Sequence, residues 1–367
     1  MNRYKKWLIT ALMISAISIA LLTGLTCNSE TFEALKKIKL EYILAAALSH
    51  ILFYIIWSLR TQALCKSLGY RISLVKTTEI IVSSTFVAAI TPSSAGGEIL
   101  RVPLLNQNGI PLGRATAIVV GERILDALFI FSCLPFALLI LGDMFLNYEF
   151  DAAFIIANSL VFAILCFFVY AVWKPDKVKN IIHMIADKLT PFLGKKTDNT
   201  LLHFTEQIDR EIDHFHDSVR IFFAEGKKGL LWGLVYTLLF WIVDFSLLIL
   251  ILMGLSQKPS ILIAFAAQVL LTVVLLVPAT PGSSGVAELG AVSIFSIFVN
   301  SSVLGITVLA WRALTYYMNL LFGGLMSLKV LRDMDLIKKL TGETPEIQLD
   351  SEATILTDKI TSFKEKI

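Results

Sequence analysis

The sequence predicts an all-α polytopic membrane protein with six full transmembrane helices and two broken, re-entrant helical hairpins, arranged as an inverted repeat. Three observations lead there. Of the 367 residues, 56% are hydrophobic and only 17% are charged, whereas soluble domains carry about a quarter charged residues. Several apolar runs are long enough to cross a bilayer and lack the alternation of barrel strands. One motif also occurs twice: Thr91-Pro92-Ser93-Ser94-Ala95-Gly96-Gly97-Glu98 returns as Thr280-Pro281-Gly282-Ser283-Ser284-Gly285-Val286-Ala287-Glu288. Arg123 follows the first glutamate by 25 residues and Arg312 follows the second by 24. A motif repeated with its downstream arginine marks a duplicated unit.

Taken in order, residues 1–6 carry Arg3, Lys5 and Lys6 ahead of an apolar run over 7–26. No A-x-A site follows that long run, so it reads as an uncleaved first span with the N-terminus in the cytoplasm. Residues 28–39 are then outside, despite Lys36, Lys37 and Lys39. Residues 40–59 return as the second span, ending at Arg60, with Lys66, Arg71 and Lys76 following on the cytoplasmic side. Residues 79–90 are apolar but reach only about 18 Å as a helix, against a hydrocarbon core of about 30 Å. They break at Pro92, and residues 99–105 are also too short to cross alone. Residues 79–110 therefore read as a re-entrant hairpin opening to the cytoplasm, with the Pro-Ser-Ser-Ala-Gly-Gly-Glu loop at its tip.

Residues 115–141 form the third span and contain Glu122, Arg123 and Asp126. The loop 142–151 has no lysine or arginine, as an outside loop should. Residues 152–173 return inward, and 174–228 is the longest polar stretch, placed in the cytoplasm. Within it Leu201, Phe204, Ile208, Ile212, Phe215, Val219 and Phe222 form one stripe of an amphipathic helix. Whether that stripe lies on the membrane or packs on other cytoplasmic segments is left open. Residues 229–254 go outward, with Asp244 near the middle. Segments 260–277 and 286–298 flank the second loop as a hairpin over 260–299 that opens outside. Residues 303–328 go back in, ending at Lys329 and Arg332. The tail is polar and cytoplasmic, with Leu356, Ile360, Phe363 and Ile367 spaced for one short amphipathic helix. Each half thus reads span, span, hairpin, span, in opposite orientations. The units are 1–173 (the first repeat, with 152–173 leading into the second), 174–228, 229–330 and 331–367.

Both loops carry the means to bind an anion. Pro92, Pro278 and Pro281 free backbone groups, and Ser93, Ser94, Gly96, Gly97, Ser283, Ser284 and Gly285 let a ligand approach the chain. A helix starting after such a loop points its N-terminal N–H groups at the site, which favours phosphate. The alternative is that the small residues serve close helix packing. Charges within spans are costly and so mark function. Arg123 and Arg312 are expected to face a central cavity, pairing with Glu98, Glu288 or Asp126 when empty and binding phosphate bidentately when loaded; the alternative is a permanent salt bridge. Glu122, Arg123 and Asp126 fall within one turn, and Arg312, Thr315, Tyr316 and Asn319 make one polar stripe. Arg101, a turn after Glu98, is a third phosphate contact. Asp244 is a candidate for ion or proton coupling.

Other chemistries find less support. Net charge is only +3, which gives no basis for nucleic-acid binding. Cys27, Cys65, Cys133 and Cys166 show no metal-site spacing, and Cys133 and Cys166, inside apolar runs, read as packed thiols. Gly282-Ser283-Ser284-Gly285 matches the GxSG of intramembrane serine proteases, but the last histidine is His216, upstream of it. His203, Glu206, Asp209, Asp213, His214, His216 and Asp217 read as the solvated face of the amphipathic helix, not as a metal site. No metal and no cofactor are expected.

The two loops and their arginines resemble the lysylphosphatidylglycerol synthase transmembrane-region family, the flippase-type membrane domain of the multiple peptide resistance factor and its stand-alone relatives. The matching residues are Pro92, Gly96, Gly97, Glu98, Arg101, Glu122, Arg123 and Asp126, then Pro278, Pro281, Gly282, Gly285, Glu288 and Arg312. The resemblance covers roughly residues 5–335. The family usually shows Pro-Gly-Gly-x-Gly at the second loop, where this chain has Ser283 and Ser284. It implies movement of a lipid with an anionic or zwitterionic head group between leaflets. Full-length members add a soluble synthase domain, for which residues 331–367 are too few, so synthase activity is not carried over. Stand-alone relatives are linked to polyprenyl-phosphate and glycolipid pathways.

The expectation is therefore a flippase-like transporter in the plasma membrane, with both termini cytoplasmic and the two hairpins as opposite gates. With no ATP-binding loop, movement is passive or ion-coupled. Its partner is a phosphate-bearing membrane lipid; a lipid-modifying synthase, a glycosyltransferase and a second copy of the chain are compatible assembly partners. The rival readings are a lipid head-group enzyme using Glu98 and Glu288, and a non-transporting partner of a glycosyltransferase acting through 174–228.

Overall fold

The structure, a computed structural model, describes residues 38–91, 95–145, 227–276 and 282–341, with isolated positions 13, 35, 36, 220, 222 and 280. The expected spans 7–26 and 152–173, most of 174–228 with its histidines, and the tail beyond 341 lie outside the described residues. So do Pro92, Ser93, Ser94, Pro278 and Pro281.

The described residues are helical, without strands. In order they form α1 (Leu40–Ser67), α2 (Leu74–Ile90), α3 (Ala95–Gln107), α4 (Leu112–Phe145), α5 (Lys227–Gly254), α6 (Ile261–Leu275), α7 (Val286–Phe295) and α8 (Ser301–Arg312). A π-helical turn over Ala313–Tyr317 joins α8 to α9 (Met318–Thr341). Three helices are long and apolar enough to cross a membrane: α1, α4 over Leu112–Gly142, and α5. Their outer faces are apolar, with Leu44, Leu48 and Ile51 exposed on α1 and Leu238, Leu239 and Ile242 on α5. Such a surface is stable against acyl chains and not against water. The protein is thus a helical membrane protein.

Two boundaries differ most from the sequence reading. Helix α1 does not stop at Leu59; it runs to Ser67, and Arg60 is fully buried instead of facing the cytoplasm. A charge inside a helix does not end it when a partner lies across the interface. Helix α9 likewise continues past 330 to Thr341. The stretch 301–341 is continuous helix, widened at 313–317 by one π turn, a device frequent at functional sites.

Each broken segment is a pair of helices. In the first, α2 starts at Ser73, whose hydroxyl accepts from the Lys76 N–H at 3.3 Å. It returns as α3, and Gly97 makes the close approach possible: a Cβ there would lie 2.9 Å from the Ser84 carbonyl oxygen. In the second, α6 turns back through the loop into α7. Helices α1 and α5 lie antiparallel along each other. Gly229 at the start of α5 meets Ser67 at the end of α1, and the Lys39 N–H donates to the Gly254 carbonyl at the other end at 2.8 Å.

The remaining pairings are reciprocal between the halves. Helix α9 packs on α2, and α4 packs on α6; α1 packs on α2, and α5 on α6; α3 packs on α4, and α7 on α8. The α2–α9 seam is closed by Glu79, which holds Lys76 and Lys329, and by Ser327, whose hydroxyl donates to the Ser83 carbonyl at 3.1 Å. Of the amphipathic stripe only Phe222 is described. It is buried in the cluster that includes Ile118 and Leu105, with its ring where a side chain at Gly121 would stand.

Candidate functional site

The site is built from two charge networks, one on each broken segment, and the loops of the two segments touch. The first is centred on Glu122, in the middle of α4 and fully buried. Its carboxylate accepts from Arg101 of α3 at 2.6 Å, from the Trp57 indole of α1 at 2.9 Å, from Arg60 at 3.4 Å, and from the Thr61 hydroxyl. Arg60 also donates to Asp126 at 2.6 Å, and the Trp241 indole of α5 donates to the same carboxylate at 3.1 Å. Arg123 pairs with Glu98 across the hairpin at 3.1 Å and with Asp126 at 3.4 Å. Trp57 is the common wall, with the guanidinium carbons of Arg101, Arg123 and Arg60 at 5.2, 5.8 and 6.0 Å from its ring.

Three guanidiniums thus face three carboxylates, Glu98, Glu122 and Asp126, at a depth where an uncompensated charge is costly. Exposure separates their roles. The side chains of Arg60, Arg101 and Glu122 are at most 1% exposed. Those of Arg123 and Glu98 are 41% and 39% exposed. The second pair opens to the surface, and the first is enclosed. Arg101 still has two buried donors, Nε and Nη1, without a partner.

The second network belongs to the second loop. Arg312 is 5% exposed and donates through Nε to Glu288 at 3.0 Å. Its Nη2 reaches the Ser284 hydroxyl at 3.4 Å and the Gly282 carbonyl at 3.5 Å. The guanidinium lies 4.2 Å from the Tyr316 ring centre. The other oxygen of Glu288 accepts from the Gly285 N–H at 2.6 Å, closing the start of α7. The turn needs positive φ at Gly282 (59°), Ser283 (51°) and Gly285 (87°). For Ser283, a residue with a side chain, that is a strained conformation.

The loops are in direct contact. The Gly282 N–H donates to the Thr91 carbonyl at 3.1 Å, and the Tyr316 hydroxyl reaches the Ala89 carbonyl at 3.4 Å. Thr91 in turn accepts the Gly96 N–H at 3.1 Å. The structure therefore gathers Glu98, Arg101, Glu122, Arg123 and Asp126 in one network. Gly282, Ser284, Gly285, Glu288, Arg312 and Tyr316 form the other, and Ser283 is buried in the same turn. Arg123 and Arg312 share no carboxylate. Gly96 and Gly97 pack against Thr91, Val87 and Ala88 of the first hairpin. Asp244 lies elsewhere, half-buried on α5, with no hydrogen bond or ion pair among the described residues.

Sequence reasoning missed Arg60, Trp57, Thr61 and Trp241. The signal existed: Trp57, Arg60, Thr61 and Leu64 recur at helical spacing on one buried face of α1. A further half-buried cluster joins α1 to the first turn of α9, where Asn319 accepts from Tyr54 and pairs with His50 at 3.1 Å.

Fold and site together define a helical membrane protein with a charged centre at two broken helical hairpins. The chain belongs to the lysylphosphatidylglycerol synthase TM region family, whose sequence profile matches residues 8–323. It is similar to a UPF0104 membrane protein of Archaeoglobus fulgidus, 31% identical over 315 residues that cover 86% of this chain and 94% of that one. A UPF0104 membrane protein of Methanocaldococcus jannaschii is 25% identical over 80% of this chain and 86% of its own. One of Methanothermobacter thermautotrophicus is 23% identical over 84% and 90%.

Proposed function

We propose that the protein is a carrier, not an enzyme, that moves a lipid with a phosphate-bearing anionic or zwitterionic head group between the leaflets of the cell membrane by alternating access. The observation that carries this reading is the contact of the two loops at Gly282 and Thr91, with a guanidinium–carboxylate network on each side. Two dead-end hairpins that meet tip to tip make one barrier, and opening either one uncovers the same charges. The antiparallel α1 and α5 and the reciprocal packing of the halves support an inverted repeat, with six full spans when 7–26 and 152–173 are included. The family supports a lipid ligand.

In this reading Arg123 exchanges Glu98 for the incoming phosphate, and the unpartnered donors of Arg101 stand behind it. Arg312 and Glu288 hold the second loop in shape while it is closed. Arg123→Gln is therefore expected to slow transfer of fluorescent phosphatidylglycerol across proteoliposomes at least about tenfold, the worth of a single charge-assisted contact. Because Arg123 is partly exposed, elution and thermal unfolding should stay near wild type. Unchanged transfer in the folded variant would overturn the proposal.

A further inference from the structure

A cavity of about 1170 Å³ lies between the end of α1 and the first turns of α5, apart from both networks. Lys66, Arg71, Lys227 and Lys228 line it, and no carboxylate among the described residues does. All four are exposed, and none of their side chains forms an ion pair or hydrogen bond among the described residues. Elsewhere in the described structure buried or half-buried cations are matched: Arg60, Arg101, Arg123 and Arg312 each face a carboxylate. Four like charges converging on one concavity repel one another and focus a positive potential into it. That arrangement favours an anion in the concavity.

The rest of the lining says which kind of anion. Trp232 is 56% exposed at the mouth, with the Tyr236 ring 6.1 Å away, the residue types that sit at head-group level. Leu231, Leu234 and Val235, beside Trp232 on α5, are exposed and continue the acyl-facing surface up to the cavity. The volume exceeds the range of about 300–1,000 Å³ typical of small-molecule sites, far more than a free phosphate ion fills. The floor is fixed, because Gly229 lets α5 close on α1: a Cβ there would stand 2.1 Å from the Ser67 hydroxyl oxygen.

We infer that this cavity is a binding site for the phosphate-bearing head group of a membrane lipid. The basic residues hold the phosphate, and the acyl chains lie along Leu231 and Leu234. The inference does not require transport: it stands if the chain moves no lipid at all.

The test places the full chain in phosphatidylcholine nanodiscs containing phosphatidylglycerol with brominated acyl chains. Bromine quenches nearby indoles, and the difference between wild type and Trp232→Phe isolates Trp232. Its quenching should reach half-maximum at a mole fraction at least about tenfold lower for brominated phosphatidylglycerol than for brominated phosphatidylcholine, the worth of one to two nearby cations. That preference should weaken at least about tenfold in Lys227→Gln/Lys228→Gln, whose exposed positions leave the fold intact, and persist in Arg123→Gln. Equal quenching by the two lipids would overturn the inference, as would a preference unchanged in the double variant. Displacement by glycerol 3-phosphate at concentrations matching the lipid would assign the cavity to a soluble anion and overturn it as well.

Discussion

Gly282→Ala should part the two hairpin loops and abolish lipid transfer. Gly282 has φ 59°, and a Cβ built there would lie 2.3 Å from the Ala89 carbonyl oxygen and 2.5 Å from the Tyr316 ring. The left-handed backbone alone costs alanine about 1–2 kcal/mol. The clash is worse, because one atom it meets is backbone and the other belongs to a buried ring that stacks on Arg312. The chain can relieve it only by moving the second loop off the first, which breaks the bond from Gly282 to Thr91. Gly113→Ala is the control: it lies in the first turn of α4 with nothing within 4 Å of its built Cβ, and is expected to leave stability unchanged or raise it. Thermal unfolding and proteoliposome transfer measured on both variants decide it. If Gly282→Ala transfers lipid at the wild-type rate, the loop contact is not the barrier.

Glu122→Ala should be the most destabilising substitution in the first network. It removes the shared acceptor of Arg101, Arg60, Thr61 and Trp57, all within an interior that water does not reach. Breaking a buried ion pair from one side typically costs about 3–5 kcal/mol, because the surviving charge stays desolvated. Here Arg101 would lose its only carboxylate among the described residues, while Arg60 keeps Asp126. The expected result is a sharp fall in melting temperature, with Arg101→Met partly rescuing it in the double variant. A rescue shows that the stranded guanidinium, not a cavity, causes the loss. Additive losses in the two single variants would overturn that account.

The parts of this fold legible in the sequence are those that punctuation marks. The two loops stand out because proline and glycine interrupt apolar runs, and the helices on either side of them begin and end within a few residues of the expected places. Arg60 was not legible, because an arginine at the end of an apolar run reads equally well as the cytoplasmic end of a span. Its partner Asp126 lies 66 residues away, and only packing brings them together. The π turn was hidden for a different reason. Arg312, Thr315, Tyr316 and Asn319 fit ordinary α spacing, and nothing local records the extra residue that turns Tyr316 toward Ala89. Nor does spacing reveal that Arg312 braces its own loop while Arg123 stays accessible; that difference rests on 6% against 41% exposure of otherwise similar side chains.

The balance of three guanidiniums against Glu98, Glu122 and Asp126, and of Arg312 against Glu288, has an electrical consequence. These clusters carry no net charge, so in the proposed carrier a transmembrane voltage does almost no work on them during an empty reset. A bound phosphodiester adds one negative charge, on which 100 mV acts with about 2.3 kcal/mol over the full membrane thickness. The loaded step is then the one that polarisation accelerates or opposes, and an imposed potassium diffusion potential would give the direction of transport a sign.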